Sequence, residues 1–276
     1  MIGVTGATGF IGNHLMDSLG ESGIAIDLRN DSNSEICEQL KKNNVGIVVH
    51  LANPIPSANQ DEQKNIEREG KILAKRMVDI ADSVGDIYFI VLSSIRVYPN
   101  GFDVFNKDTP LGPIDGYGRG KVAAERYFKE SKHRVLGLRA SSVLGVDLNG
   151  YPRGVLGTFV NQTKDGNKLK VMGDGSAKKD LLHVTDLIKL IMILIEHEPP
   201  SRDLFLPVGG GKSCTVLELA NLVSIKTECE IIFIEPALFE LSNSVDIDDI
   251  CKLSGWTPSW TIEKMVQESV DTMWGQ

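Results

Sequence analysis

Short apolar runs alternate with amphipathic stretches through the first half of the chain: MIGVTG, FIGNHLMDSLGES, GIAIDL, SEICEQLKKN, VGIVVHLA, EGKILAKRMVDIADSVG and IYFIVLSS. The short runs fit strands buried on both faces, and the longer stretches carry the period of helices that cover such a sheet. GKVAAERYFKESK then reads as a helix and RVLGLRASSVLG as the next strand. This alternation predicts an α/β fold, a Rossmann-like doubly wound parallel sheet. After Gly145 the regularity gives way to a loop rich in glycine and proline, VDLNGYPRGVLG, and then to mixed short strands and helices. We expect a dinucleotide-binding domain from residues 1–150 and 178–200, and a smaller discontinuous C-terminal substrate-binding lobe from 151–177 and 201–276. The ligand cleft should lie between them.

Composition narrows the classes. A chain of 276 residues, 42% hydrophobic and 24% charged, buries a large core and leaves no tract that reads as disordered. The net charge of -8 and scattered lysines and arginines argue against nucleic acid or an anionic membrane surface as partner. The most apolar helical run, LIKLIMILIEH, is interrupted by Lys189 and falls well short of the roughly 20 residues a bilayer span needs. The chain opens directly on MIGVTG, which is the expectation for a cytoplasmic protein. Cys37, Cys214, Cys229 and Cys251 stand far apart, with no CxxC and no histidine at metal spacing, so we expect free thiols and no metal site.

Three stretches carry chemistry. VTGATGFIG sets Gly6, Gly9 and Gly12 between a strand and a helix, where they permit a tight turn, backbone approach to a pyrophosphate and close helix packing. GGGKSC is no second phosphate loop, because the Walker pattern needs a further glycine at its head, and the stretch before GGGK is LFLPV. AIDLRND offers both Asp27, suited to ribose hydroxyls, and Arg29, suited to a 2'-phosphate, so NAD and NADP both remain open. The third stretch runs from SSIRVY to YGRGK. Ser93 and Ser94 end an apolar strand, and Tyr117 and Lys121 fall one helical turn apart on one face. Tyrosine, with a free pKa of about 10, needs a neighbouring cation to serve as acid or base near neutrality. Lys121 can provide it.

In this order, the glycine turn, the strand-end serine and YxxxK resemble the extended short-chain dehydrogenase/reductases, the NAD-dependent epimerase/dehydratase family. TGATGFIG, VVHLA, SSIRVY, LRASSVLG, GDGSAKKDLLHVTDL and LSGWTPSWTIEKMVQESV extend the likeness over nearly the whole chain. The resemblance implies that Tyr117 exchanges a proton with a sugar hydroxyl or ketone. Ser94, four residues before the tyrosine of VY, would hydrogen-bond the same oxygen, and Lys121 would hold the nicotinamide ribose. It also places Thr8, Phe10 and Ile11 of the glycine motif and Leu51 and Ala52 of VVHLA beside the cofactor. Ser142 and Lys179 take substrate positions where asparagine and arginine are usual.

Ile95 and Arg96 occupy the positions where similar dehydratases carry an acidic pair, which speaks against a 4,6-dehydratase. The chain length is nearer to the family's 4-ketoreductases than to its epimerases. The implied function is an NAD(P)-dependent reductase of a nucleoside-diphosphate 4-keto-(6-deoxy)hexose. An epimerase of the UDP-glucose 4-epimerase type is the alternative, and a non-catalytic NADP-binding sensor is disfavoured by the complete Ser, Tyr, Lys set. Helices flanking the tyrosine pair subunits in similar enzymes, which implies a homodimer. His50 and His183 read as packed structural residues.

Overall fold

A computed structural model describes the chain apart from residues 56, 58, 165–167, 198–203, 237–241, 243 and 276. The apolar runs of the first half form β1 (Ile2–Thr5), β2 (Gly23–Ile26), β3 (Ile47–His50) and β4 (Tyr88–Ser94), and the stretches between them form α1 (Phe10–Leu19), α2 (Asn33–Lys42) and α3 (Gln63–Asp82). A short strand, β5 (Val104–Phe105), precedes α4 (Gly116–Glu130) and β6 (Arg134–Ala140). The second half contributes β7 (Ser142–Val146), β8 (Pro152–Arg153), α5 (Gly154–Thr163), β9 (Leu169–Met172), β10 (Lys178–His183), α6 (Val184–Glu196) and β11 (Leu204–Val208). Then follow β12 (Ser213–Thr215), α7 (Val216–Thr227), β13 (Ile231–Ile234), β14 (Ser244–Val245), α8 (Asp248–Ser254) and α9 (Ile262–Trp274). Helix starts have local causes. Ser32 and Glu35 form a capping box on α2, and the Asp115 carboxylate accepts from the Gly118 N–H to cap α4.

Six strands pair in the order β2-β1-β3-β4-β6-β11, all parallel. Alternation within the strands fills both faces. Val49 and Ile90 join Leu15 and Leu187 in the core beneath α1 and α6, whereas Val48 and Phe89 join Ile36, Met77 and Phe128 beneath α2, α3 and α4. The order turns back at β1, with β2 on one side and β3 on the other. A crevice therefore opens at the carboxyl ends of β1 and β3, which is where open α/β sheets bind ligands.

Strand pairing redraws two segments of the sequence reading. Leu204–Val208, grouped there with the smaller lobe, pairs with β6 from Leu204↔Leu136 to Val208↔Ala140 and completes the main sheet. Conversely Lys178–His183, grouped with the dinucleotide domain, belongs to a four-stranded sheet ordered β12-β10-β7-β8. An apolar run such as LFLPV announces a strand but not its neighbour, because the partner is chosen by packing on both faces. A third core gathers around the second sheet, from Leu144, Phe159, Leu181, Leu219, Met265 and Val270.

Candidate active site

The glycine turn joins β1 to α1. Gly6 has φ +69, and a Cβ there would lie 2.8 Å from the Ala52 nitrogen at the end of β3; one on Gly12 would collide with the Gly6 carbonyl oxygen. The ends of β1 and β3 are tied by a side chain: Thr5 Oγ1 accepts from the Ala52 N–H at 3.1 Å and bonds His50 Nδ1 at 3.0 Å. Burial, aided by the charge of Lys121, pushes His50 down to about 3, so it is neutral and packed. Gly9 is the N-cap of α1, with no side-chain cap and no acidic residue in the first turn. The leading N–H groups of α1 are thus open to an anion, and a Cβ on Gly9 would meet only the Gly6 oxygen, at 3.3 Å, and fill the space in front of them. That cradle fits the pyrophosphate of a dinucleotide. We expect Gly9→Val to weaken NAD(H) binding at least about tenfold while the fold survives; unchanged affinity in a fluorescence titration would remove the turn from the site.

At the end of β2, Asp27 Oδ2 accepts from Asn30 Nδ2 at 2.6 Å and its Oδ1 accepts from the Arg29 and Asn30 N–H groups. These bonds, led by the Asn30 side chain, hold its carboxyl below the usual range. Arg29 reaches away, donating through Nε and Nη2 to Glu69 on α3 at 3.1 and 2.6 Å.

A cavity of about 670 Å³ takes in Gly6, Gly9, Phe10, Ile11 and Gly12, together with Leu51. Ser94, Tyr117 and Lys121 line it as well, and the second sheet contributes Ser142 and Lys179. Asp27, Arg29, Thr8 and Ala52 are not part of its lining: the first two lie at the end of β2, Thr8 is exposed on the glycine turn, and Ala52 is tied to Thr5.

Ser94 and Tyr117 line the same stretch of the cavity, and the Ser94 hydroxyl favours the ionised phenol. Burial pushes the phenol up to about 12, with the Asp115 carboxylate adding to the rise and Arg96 and Ser94 opposing it. The Lys121 Nζ stands 5.7 Å from the Tyr117 ring centroid and donates to the Leu92 carbonyl oxygen at 2.5 Å. Burial lowers Lys121 to about 8, and the Glu125 charge works against that fall. Strand phase separates the two serines. Ser93 is buried and donates to Glu125 Oε1 at 2.6 Å.

Several residues of this region escaped the sequence reading. Glu125, one turn beyond Lys121, also accepts from Arg139 at 3.0 and 2.7 Å, and Arg139 Nη1 donates to the Tyr98 hydroxyl at 3.0 Å. All three are buried. The spacing of Tyr117, Lys121 and Glu125 at four-residue steps was a legible signal for the first of them; nothing local marked Arg139 as its partner. Arg96 lines the cavity and bonds Asp115 through Nε at 2.7 Å and also through Nη2. Arg153 and Lys178 join Lys179 along the wall. Asp180 is buried there, raised to about 6 by burial, and its Oδ1 accepts from the Gly210 N–H at 2.7 Å. His183 caps α6, bonds Glu268 at 2.9 Å and stacks on Trp260 at 3.7 Å, a structural role.

Known proteins share this fold. A putative UDP-glucose 4-epimerase of Methanocaldococcus jannaschii is 27% identical over 99% of this chain and 98% of its own. The dTDP-4-dehydro-6-deoxyglucose reductase of Escherichia coli is 23% identical over 87% of this chain and 78% of its own. Among solved structures, MoeE5 in complex with UDP-glucuronic acid and NAD superposes with a TM-score of 0.87 at 22% identity, covering 99% of each chain. The UDP-glucuronic acid 4-epimerase of Bacillus cereus, also with NAD, gives 0.87 at 18% identity and the same coverage. The profile of the NAD-dependent epimerase/dehydratase family matches residues 2–205, and with the six-stranded parallel sheet and the glycine turn already in place, the chain belongs to that family.

Proposed function

We propose that the chain performs NAD-linked hydride transfer at a hydroxyl-bearing carbon of a nucleoside-diphosphate sugar, as a 4-epimerase. The convergence of Ser94, Tyr117 and Lys121 on the cavity that also holds the glycine turn carries this reading. A sugar oxygen seated between Ser94 and Tyr117 meets one group that orients it and one that takes or returns its proton. Lys121 holds a ribose hydroxyl and keeps positive charge near the phenol. A nicotinamide dinucleotide, when bound, supplies the hydride acceptor and donor. Lys179, with Arg153 and Lys178, gives the wall a positive field suited to the substrate's diphosphate, though without the bidentate fork when lysine stands for arginine. Ser142 offers a hydroxyl to the sugar. The full-length likeness to the M. jannaschii protein, whose name is that of a 4-epimerase, supports the choice.

A second reading, a 4-ketoreductase, is favoured by the E. coli reductase among the relatives. Incubation with UDP-glucose, UDP-glucuronate and a dTDP-4-keto-6-deoxyhexose, followed by NMR and by NADH absorbance, separates them. Epimer formation without net cofactor change supports the first, and stoichiometric loss of NADH supports the second. Failure of every nucleotide sugar to react would overturn both.

We assign NAD rather than NADP because Asp27 is set at the end of β2 while Glu69 draws off the Arg29 guanidinium. Asp27→Ala should weaken NADH about tenfold or more, by loss of ribose hydrogen bonds, while Arg29→Ala leaves NADH unchanged. Tighter binding of NADPH than NADH to the unaltered protein would reverse the assignment.

A further inference from the structure

Tyr117 has a second cation beside it. Arg96 stands in the single turn of 3-10 helix, Ile95–Val97, that ends β4, and its Cζ lies 5.8 Å from the Tyr117 ring centroid, comparable to the 5.7 Å of the Lys121 Nζ. The guanidinium is not free to wander. Its Nε and Nη2 donate to Asp115 Oδ2, while Asp115 Oδ1 accepts from the Gly118 N–H at 2.7 Å. The backbone is joined as tightly: a Cβ on Gly118 would collide with the carbonyl oxygen of Arg96. Arg96, Asp115 and the first turn of α4, which carries Tyr117, therefore move as one piece.

We propose that Arg96 is a positioning residue that, pinned by Asp115 against the ring of Tyr117, stabilises the tyrosinate and shares that task with Lys121. The proposal rests on the proton-transfer role given to Tyr117 above. Its weight comes from how the charges around the phenol are disposed. From β4 comes Ser94, whose hydroxyl accepts from the Arg96 N–H; from the following turn comes Arg96; α4 itself contributes Asp115 and Lys121, with Glu125 beyond Lys121. Of these, Arg96 exerts the largest pull toward the ionised phenol and Asp115 pushes the other way, against the dominant effect of burial. Lys121 is turned to the Leu92 carbonyl and toward Glu125, a posture suited to holding its own charge. Burial holds the phenol far above neutrality, so very little Tyr117 is ionised at pH 7. Any cation held at the ring then changes the supply of base directly. A carboxylate in place of Arg96 would act in the opposite sense, so this position also sets whether the tyrosine is biased toward base or acid.

The test reads the phenol itself, so it does not depend on knowing the substrate. Difluorotyrosine in place of tyrosine acidifies the phenol into a range where the fold survives, and fluorine NMR follows its ionisation, with Tyr117→Phe identifying the signal. Arg96→Met should leave about tenfold less tyrosinate at a given pH, as loss of a cation at 4 to 6 Å does. Arg96→Lys should restore part of it, and Asp115→Asn should move the midpoint the opposite way, giving more tyrosinate. The pH profile of kcat should shift in the same directions while KM for the dinucleotide stays constant. An unmoved Tyr117 midpoint in Arg96→Met, or an upward one in Asp115→Asn, overturns the proposal. If Arg96→Met fails to fold, the Asp115→Asn and Arg96→Lys midpoints decide alone. Normal turnover in Tyr117→Phe would sink the function proposed for the site while leaving the titration result standing, so the two failures are distinguishable.

Discussion

Replacing Tyr117 with phenylalanine is expected to cut turnover by about 100-fold to 10,000-fold, the usual worth of a positioned proton donor or acceptor. The substitution removes one oxygen. The ring still fills its place between Arg96 and Lys121, both within 6 Å of its centroid, so cofactor affinity should change little. Ser94→Ala should also slow the chemical step at unchanged cofactor affinity, since its hydroxyl lines the cavity beside the same phenol. Ser93→Ala should act differently, through the fold, because Ser93 is committed to Glu125. Lys121→Met should impair both binding and rate. The pH dependence follows from the same burial: Lys121, lowered to about 8, loses its ammonium as pH rises through that value, so dinucleotide affinity should decline across about pH 7 to 9 in the unaltered protein and stay flat in Lys121→Met. Near-normal turnover in Tyr117→Phe on the true substrate would end the proton-transfer assignment.

Glu125→Ala is expected to destabilise the fold by about 3–5 kcal/mol, the cost of leaving one member of a buried ion pair without its partner. Arg139 is 4% exposed and Glu125 1% exposed, so neither charge can be recovered by water without opening the sheet. The carboxylate also accepts from Ser93, and its charge supports the ammonium of Lys121 one turn earlier. Stability and site are therefore linked through one side chain. Urea unfolding at neutral pH measures the first effect, with the double change Glu125→Leu/Arg139→Met expected to recover part of the loss by removing both charges together. A change below about 1 kcal/mol would mean that Arg139 finds another partner, and the Tyr98 hydroxyl is the first place to look.

The parts of this protein legible in its sequence share a property: each is written within one turn or one strand. The strand and helix periods of the first half, the glycine triplet of VTGATGFIG and the four-residue step from Tyr117 to Lys121 all depend on neighbours a few positions away. Backbone geometry fixes what such spacing means, because a helix returns to the same face every turn and a strand every second residue. Strand alternation also sets Ser93 and Ser94 on opposite faces, and the resemblance of SSIRVY to the family's serine motif picks out Ser94.

What tertiary structure alone decided is which distant pieces meet. Leu204–Val208 reads as a buried strand on its own, yet only packing against Leu136 and Leu138 of β6 sets it in the main sheet and moves β10 to the other. Both Asp27 and Arg29 suit a dinucleotide in sequence, and only the fold brings Arg29 to Glu69, forty residues further along on α3. Arg139 lies 14 positions from Glu125 and 41 from Tyr98, and Arg96 lies 19 from Asp115; none of these partners can be inferred from local spacing. Charges and hydroxyls buried at such separations are paired because isolation would cost several kcal/mol each. That requirement says that a partner exists, and the fold says which one.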